Sequence, residues 1–117
     1  MCSENFKLNL INEIEKVLYE IGFRKVTIKL ATKTNKGQKE LECYKYIQTY
    51  CLISFLKHST ISGMLKDWVL IEYAHNQSDA SKWMFEDGDL IPLDLPVEQI
   101  VDEIKVEVLK AIGLNDY

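Results

Sequence analysis

The spacing of apolar residues changes period twice along this chain, and that limits its fold more than any other feature. Phe6, Leu10, Ile11, Ile14, Val17, Leu18 and Ile21 recur every three or four positions, which puts them on one face of a helix. Glu13, Glu15, Lys16 and Glu20 mostly take the other face. From Arg24 to Lys33 the period falls to two: Val26, Ile28 and Leu30 alternate with Thr27, Lys29 and Ala31. Such alternation with β-branched residues marks a half-buried strand. Near the far end the helical stripe returns in Val97, Ile100, Val101, Ile104, Val108, Ala111 and Ile112.

End signals sharpen both helices. Ser3 or Asn5 can cap the first, since a short side-chain oxygen accepts an otherwise unpaired backbone N–H. Gly22 stands where a left-handed C-terminal residue belongs. Pro96 suits the first turn of the second helix, where its missing N–H costs little. Asp94 is the expected cap there, and Gly113 the expected stop.

Between the helices, turn chemistry divides the chain. Thr34 to Lys39 is polar and contains Gly37, so a hairpin is expected. Leu41 to Lys57 alternates Tyr44, Tyr46, Tyr50 and Leu52 with Ile47, Cys51, Ile53 and Phe55. As one strand it would run roughly 56 Å, beyond usual strand lengths, so it bends, bulges or breaks. Ser59 to Gly63 is a turn. Asp67 to His75 alternates Val69, Ile71 and Tyr73 with Trp68, Leu70, Glu72 and Ala74. Asn76 to Asp79 reads as a turn, Ser81 to Phe85 as a short aromatic strand, and Glu86-Asp87-Gly88-Asp89 as a turn into Leu90–Leu93. At least one of Trp68 and Trp83 is expected in the core.

Short connections imply antiparallel neighbours. The expected fold is α+β: an N-terminal helix, an antiparallel sheet of four or five strands and a C-terminal helix, with the helices on one face. The 117 residues suit a single domain spanning 1–117. Such a chain buries roughly two-thirds of its unfolded surface and needs no metal or disulfide to fold.

No run approaches the roughly 20 apolar residues that span a bilayer. No basic segment followed by an apolar one opens the chain. Cys2, Cys43 and Cys51 are odd in number and form no CxxC pair, so reduced thiols are expected. These readings suggest a cytoplasmic protein without a membrane partner.

The search for chemistry returns little. HExxH, GxSxG, a glycine-rich phosphate loop and an EF-hand loop are all missing from the sequence. A Cys–His pair would need Cys43 or Cys51 brought near His58 or His75. Strand cysteines more often act as small apolar core residues. Glu86, Asp87 and Asp89 around Gly88 offer oxygen ligands, yet not at calcium-loop spacing, so a solvated acidic turn is preferred. No catalytic residue, cofactor or metal is therefore assigned. Tyr44, Tyr46 and Tyr50 share one strand face, and tyrosine is enriched at protein interfaces. Their bland alternative is stacking on cross-strand neighbours.

Charge is the strongest signal. The whole chain carries 14 basic and 18 acidic residues, a net charge of −4. That balance argues against direct nucleic-acid binding, which needs cations on phosphates. Residues 1–66 hold 11 basic and 6 acidic side chains, net +5; residues 67–117 hold 3 and 12, net −9. If the fold keeps the halves apart, one surface is acidic and attracts a basic partner. If hairpins interleave them, the charges cancel locally.

Ser81 to Asp94 (SKWMFEDGDLIPLD) and the helix to Gly113 resemble the C-terminal part of small bacterial immunity proteins, of contact-dependent growth inhibition systems and of the TriTu type. The resemblance covers about a third of the chain. It implies a monomeric, non-enzymatic cytoplasmic binder that neutralises one cognate basic toxin domain, often a nuclease, by covering its active site. It carries over no catalytic residues. The expected partner-binding residues, from charge and aromatic character, are Glu72, Glu86, Asp87, Asp89, Asp94, Tyr44, Tyr46 and Tyr50. A type III secretion chaperone, also small and acidic but usually dimeric, is the alternative; it would hold an extended effector segment. A small Cys–His hydrolase is the third reading.

Overall fold

The computed structural model describes residues 4–31, 40–59 and 63–113. The elements run α1 (Glu4–Ile21), β1 (Arg24–Lys29), β2 (Glu40–Tyr46), β3 (Thr49–Ser59), β4 (Leu65–Ala74), α2 (Gln77–Ser81), β5 (Glu86–Pro92) and α3 (Val97–Ala111). The five strands form one antiparallel sheet in sequence order, β1-β2-β3-β4-β5. This is the expected α+β arrangement. The expected cap Ser3, the Thr34–Lys39 hairpin turn and most of the Ser59–Gly63 turn lie outside the described residues, as does Cys2.

α1 and α3 lie on one face of the sheet. Leu10, Ile14 and Leu18 of α1 and Ile100, Ile104 and Val108 of α3 are fully buried. They join Tyr44, Cys51, Val69, Ile71, Tyr73 and Ile91 from the strands in one core. The periodic stripe thus becomes the buried stripe, and burying such side chains is the main favourable contribution to folding, about 1.5–3 kcal/mol each.

α1 closes as Gly22 predicts. With φ +127°, Gly22 lets its own N–H and that of Phe23 both donate to the Leu18 carbonyl, at 3.1 and 2.9 Å. A Cβ there would sit 2.9 Å from the Tyr46 ring. Asn5 lies inside the first turn of α1 rather than capping it. For α3, Pro96 is the cap residue and receives no side-chain cap bond. Asp94 instead pairs with Lys66 at 2.8 Å, which corrects its expected capping role.

The expected bend, bulge or break in Leu41–Lys57 is a break: a two-residue turn, Ile47-Gln48, divides it into β2 and β3, with Tyr46 opposite Thr49. Ile47 has φ +54°, the positive angle that two-residue hairpins need at their first central position. The turn changes side-chain parity. Tyr44 and Tyr46 therefore face the helices with Cys51, whereas Tyr50 points to the opposite face.

Asn76–Asp79 is not a simple turn but the start of α2, capped by the Asn76 side chain, which accepts from the Asp79 N–H at 2.8 Å. Ser81–Phe85 is not a strand. Trp83, at φ +59°, ends α2: its N–H donates to Ala80 O and that of Met84 to Asp79 O, at 3.0 and 2.8 Å. Glu86–Asp89 is not a turn but the first half of β5.

α2 packs on the sheet face opposite the long helices. Ala80 there joins Ile28, Leu41, Cys43, Tyr50, Leu52 and Ala74 in a second, smaller core, with Phe85 and Leu30 at its margin. Neither tryptophan belongs to a core: Trp68 is half-buried and Trp83 is exposed.

Candidate functional site

Sequence-ordered strands carry the charge asymmetry of the chain straight into space. α1 and β1–β3 come from the basic half, and nearly all of β4, β5 and α3 from the acidic half. The halves meet along the β3–β4 ladder, where Lys57 is opposite Asp67. They meet again where α1, which carries four glutamates and two lysines, packs against α3, so the separation of charge is clearest between the two edge strands. One edge strand, β1, bears exposed Arg24, Lys25 and Lys29; the other, β5, bears Glu86, Asp87 and Asp89.

α3 packs beside β5 and extends that acidic edge. Glu86, Asp94 and, on α3, Glu98, Asp102 and Glu103 are exposed, while Asp89 and Glu107 are half-buried. The buried Tyr73 hydroxyl lies within the fields of Glu107 and Asp89. Its pKa is pushed up, first by burial and then by these charges and Cys51. Glu107 of the helix and Asp89 of the strand thus both act on this one hydroxyl. Lys110 offsets Glu107 at 3.7 Å and Lys66 offsets Asp94, so the unpaired charge concentrates on Glu86, Glu98, Asp102 and Glu103. No group of three or more His, Cys, Asp or Glu side chains among the described residues is arranged to hold a metal ion.

Gly88 makes this edge possible. The β4–β5 register shifts between Ile71 and Tyr73, so an extra residue of β5 is accommodated there. A Cβ on Gly88 would lie 2.8 Å from the Ile71 carbonyl oxygen and 2.9 Å from Glu72 Cγ. Only a bare backbone approaches β4 that closely.

The eight residues expected to bind a partner therefore separate. Glu86 opens β5, Asp89 lies within it and Asp94 follows its far end; the side chain of Asp87 lies outside the described residues. Glu72 projects from the other face of β4 beside Gly88, where burial pushes its carboxyl pKa up. Tyr44 is buried under α1 and donates a hydrogen bond to Glu15, which also pairs with Lys25 at 3.5 Å. Tyr46 is half-buried against Phe23, with ring centres 5.4 Å apart. Tyr50 is 3% exposed in the second core. An open tyrosine face is thus corrected: the parity change at Ile47-Gln48 sends these rings to two faces, and packing covers both. Glu98, Asp102, Glu103 and Glu107 join the flank without having been singled out. Their signal was present in the polar positions of the α3 stripe.

The thiols are poor candidates for chemistry. Burial raises the Cys43 pKa to about 11 and that of the fully enclosed Cys51 higher still. A nucleophilic cysteine needs the opposite shift. His75 is exposed and stacked on Tyr73 at 6.4 Å. No helix among the described residues is long and apolar enough to cross a membrane.

Comparison with family models, curated proteins and solved structures finds no match to the chain.

Proposed function

We propose that this protein is a non-enzymatic immunity protein, whose acidic β5–α3 flank docks on a basic toxin domain and covers its active site. The observation that supports the reading is the set of exposed carboxylates on two neighbouring elements, Glu86 on β5 and Glu98, Asp102 and Glu103 on α3, with the basic strand β1 at the opposite edge of the sheet. A nuclease domain is the expected target, because an active site built to hold phosphates is itself basic. Complementary charge of this kind mainly raises association rate and selects the partner. The same carboxylates occupy the place of substrate phosphates, so binding and inhibition coincide.

The test is affinity capture from the native source, followed by a nuclease assay of the captured protein with and without added chain. A folded basic protein whose nuclease activity falls stoichiometrically is the expected result. The triple variant Glu86→Lys, Asp102→Lys, Glu103→Lys should slow association at least tenfold while circular dichroism stays unchanged. Unaltered association would remove the electrostatic basis. Capture of an extended, unfolded segment would favour a secretion chaperone instead.

A further inference from the structure

α2 covers only one end of its sheet face. Beyond it, Ser54 and Leu56 of β3, Trp68 and Leu70 of β4, and Leu90 and Pro92 of β5 form an apolar surface. All are half-buried except Leu90, which is 39% exposed. None belongs to either core, and the Trp68 indole N–H is buried among them without a hydrogen-bond partner among the described residues. On β4 the surface is bounded by Lys66 at one end and Glu72 at the other. Lys66 holds Asp94 at the rim, with its ammonium 5.4 Å from the Trp68 ring centre.

We propose that this face is a two-fold interface with a second copy of the chain, β4 of each copy lying antiparallel over β4 of the other. The charge pattern selects this arrangement. A two-fold axis between the sheets can run along the strands or across them. Along the strands, it sets Lys66 over Lys66 and Glu72 over Glu72. Across them, with its centre between Trp68 and Leu70, it sets Lys66 against Glu72 twice and Trp68 against Leu70 twice.

The position of that centre follows from the structure. α2 closes the face at Ala74, so the uncovered stretch of β4 runs from Lys66 to Glu72 and its midpoint lies between Trp68 and Leu70. The strand register extends the match. Leu56 pairs with Trp68 and Ser54 with Leu70, while Pro92 pairs with Trp68 and Leu90 with Leu70. The same axis therefore sets Leu56 over Ser54 and Leu90 over Pro92. Apolar residues and Ser54 fill the middle, and at both ends Glu72 meets Lys66, which also holds Asp94. Sheets packed in this way lie about 10 Å apart with strands within about 30° of alignment. Glu86 and Asp89 sit on the helix-bearing face, turned away from this interface, so each copy keeps its acidic flank for another partner. A pair replaces the monomer expected from sequence, and it stands independently of the immunity reading.

Sedimentation velocity of the full chain over a concentration series tests the pairing. The expected result is reversible conversion of a 13.6 kDa species to one of twice that mass. Leu70→Glu should leave only the smaller species with far-UV circular dichroism unchanged. Should that variant unfold, Leu90→Glu at the more exposed position serves in its place. Glu72→Lys should raise the dissociation constant at least tenfold, and adding Lys66→Glu should recover most of the loss. A single 13.6 kDa species up to roughly 1 mM chain overturns the proposal. So does a dimer that Leu70→Glu or Leu90→Glu leaves intact, or a double charge swap no better than Glu72→Lys alone.

Discussion

Gly88 shows how one residue decides where the acidic edge can lie. Its φ is outside the left-handed region, so the constraint there is contact rather than backbone angle. Gly88→Ala would force a methyl group against a backbone carbonyl that cannot swing aside. We expect a loss of roughly 1–3 kcal/mol, the usual cost of overpacking, measured as a lower urea midpoint with unchanged slope. An unchanged midpoint would mean that β5 shifts freely along β4. In the sequence, Gly88 between acidic residues read as a turn, because a glycine among Asp and Glu carries the same local signature in a turn and in a bulge. The tyrosines failed for a related reason. Their alternation is real on each side of the turn, but one shared face needs an unbroken strand, and a turn without Gly, Asn or Asp does not mark where the break falls.

At the level of elements, the strongly periodic pieces were legible and the irregular joints were not. α1, α3, β1 and β4 follow directly from apolar spacing, because burial of one stripe or one strand face dominates their energetics. The hidden joints are those where a bulky residue adopts a left-handed angle. Trp83 ends α2 at the position usually given to glycine, and Ile47 opens the β2–β3 turn at φ +54°. Without a glycine there, the sequence of α2 carries the signature of a turn and a strand. Ile47 offers the cleaner test, since 74% of its surface is exposed and little packing is lost on truncation. A β-branched residue at that angle is strained by about 1–2 kcal/mol. Glycine relieves the strain but loses more backbone entropy on folding. Ile47→Gly should therefore stabilise the protein by roughly 0.5–1 kcal/mol, read as a raised melting temperature and urea midpoint. A drop in both would show that the Ile47 side chain supports the hairpin despite its exposure.

For the whole molecule, the decisive fact is that the sheet follows chain order. A net charge of −4 hides +5 and −9 in the two halves, and that split becomes spatial only because no strand crosses over. Composition exposed the split, but strand order was needed to give it a direction. The same order leaves two unlike surfaces: a charged flank at β5 and α3, and an apolar patch across β3, β4 and β5. They should respond differently to salt. Raising ionic strength from 0.1 to 1 M shortens the screening length from about 10 to about 3 Å. Steering by exposed flank carboxylates reaches only about one such length, so association with a basic partner should slow at least tenfold in stopped-flow measurements. The proposed two-fold interface buries apolar area, which salt does not screen, and only its two Lys66–Glu72 ends are charged. Its dissociation constant, followed by sedimentation over the same range, should change less than about threefold. If salt weakened both equally, the Lys66–Glu72 ends rather than Leu70 and Trp68 would be holding the copies together, and removing those two charged residues should then dissociate the pair as fully as Leu70→Glu.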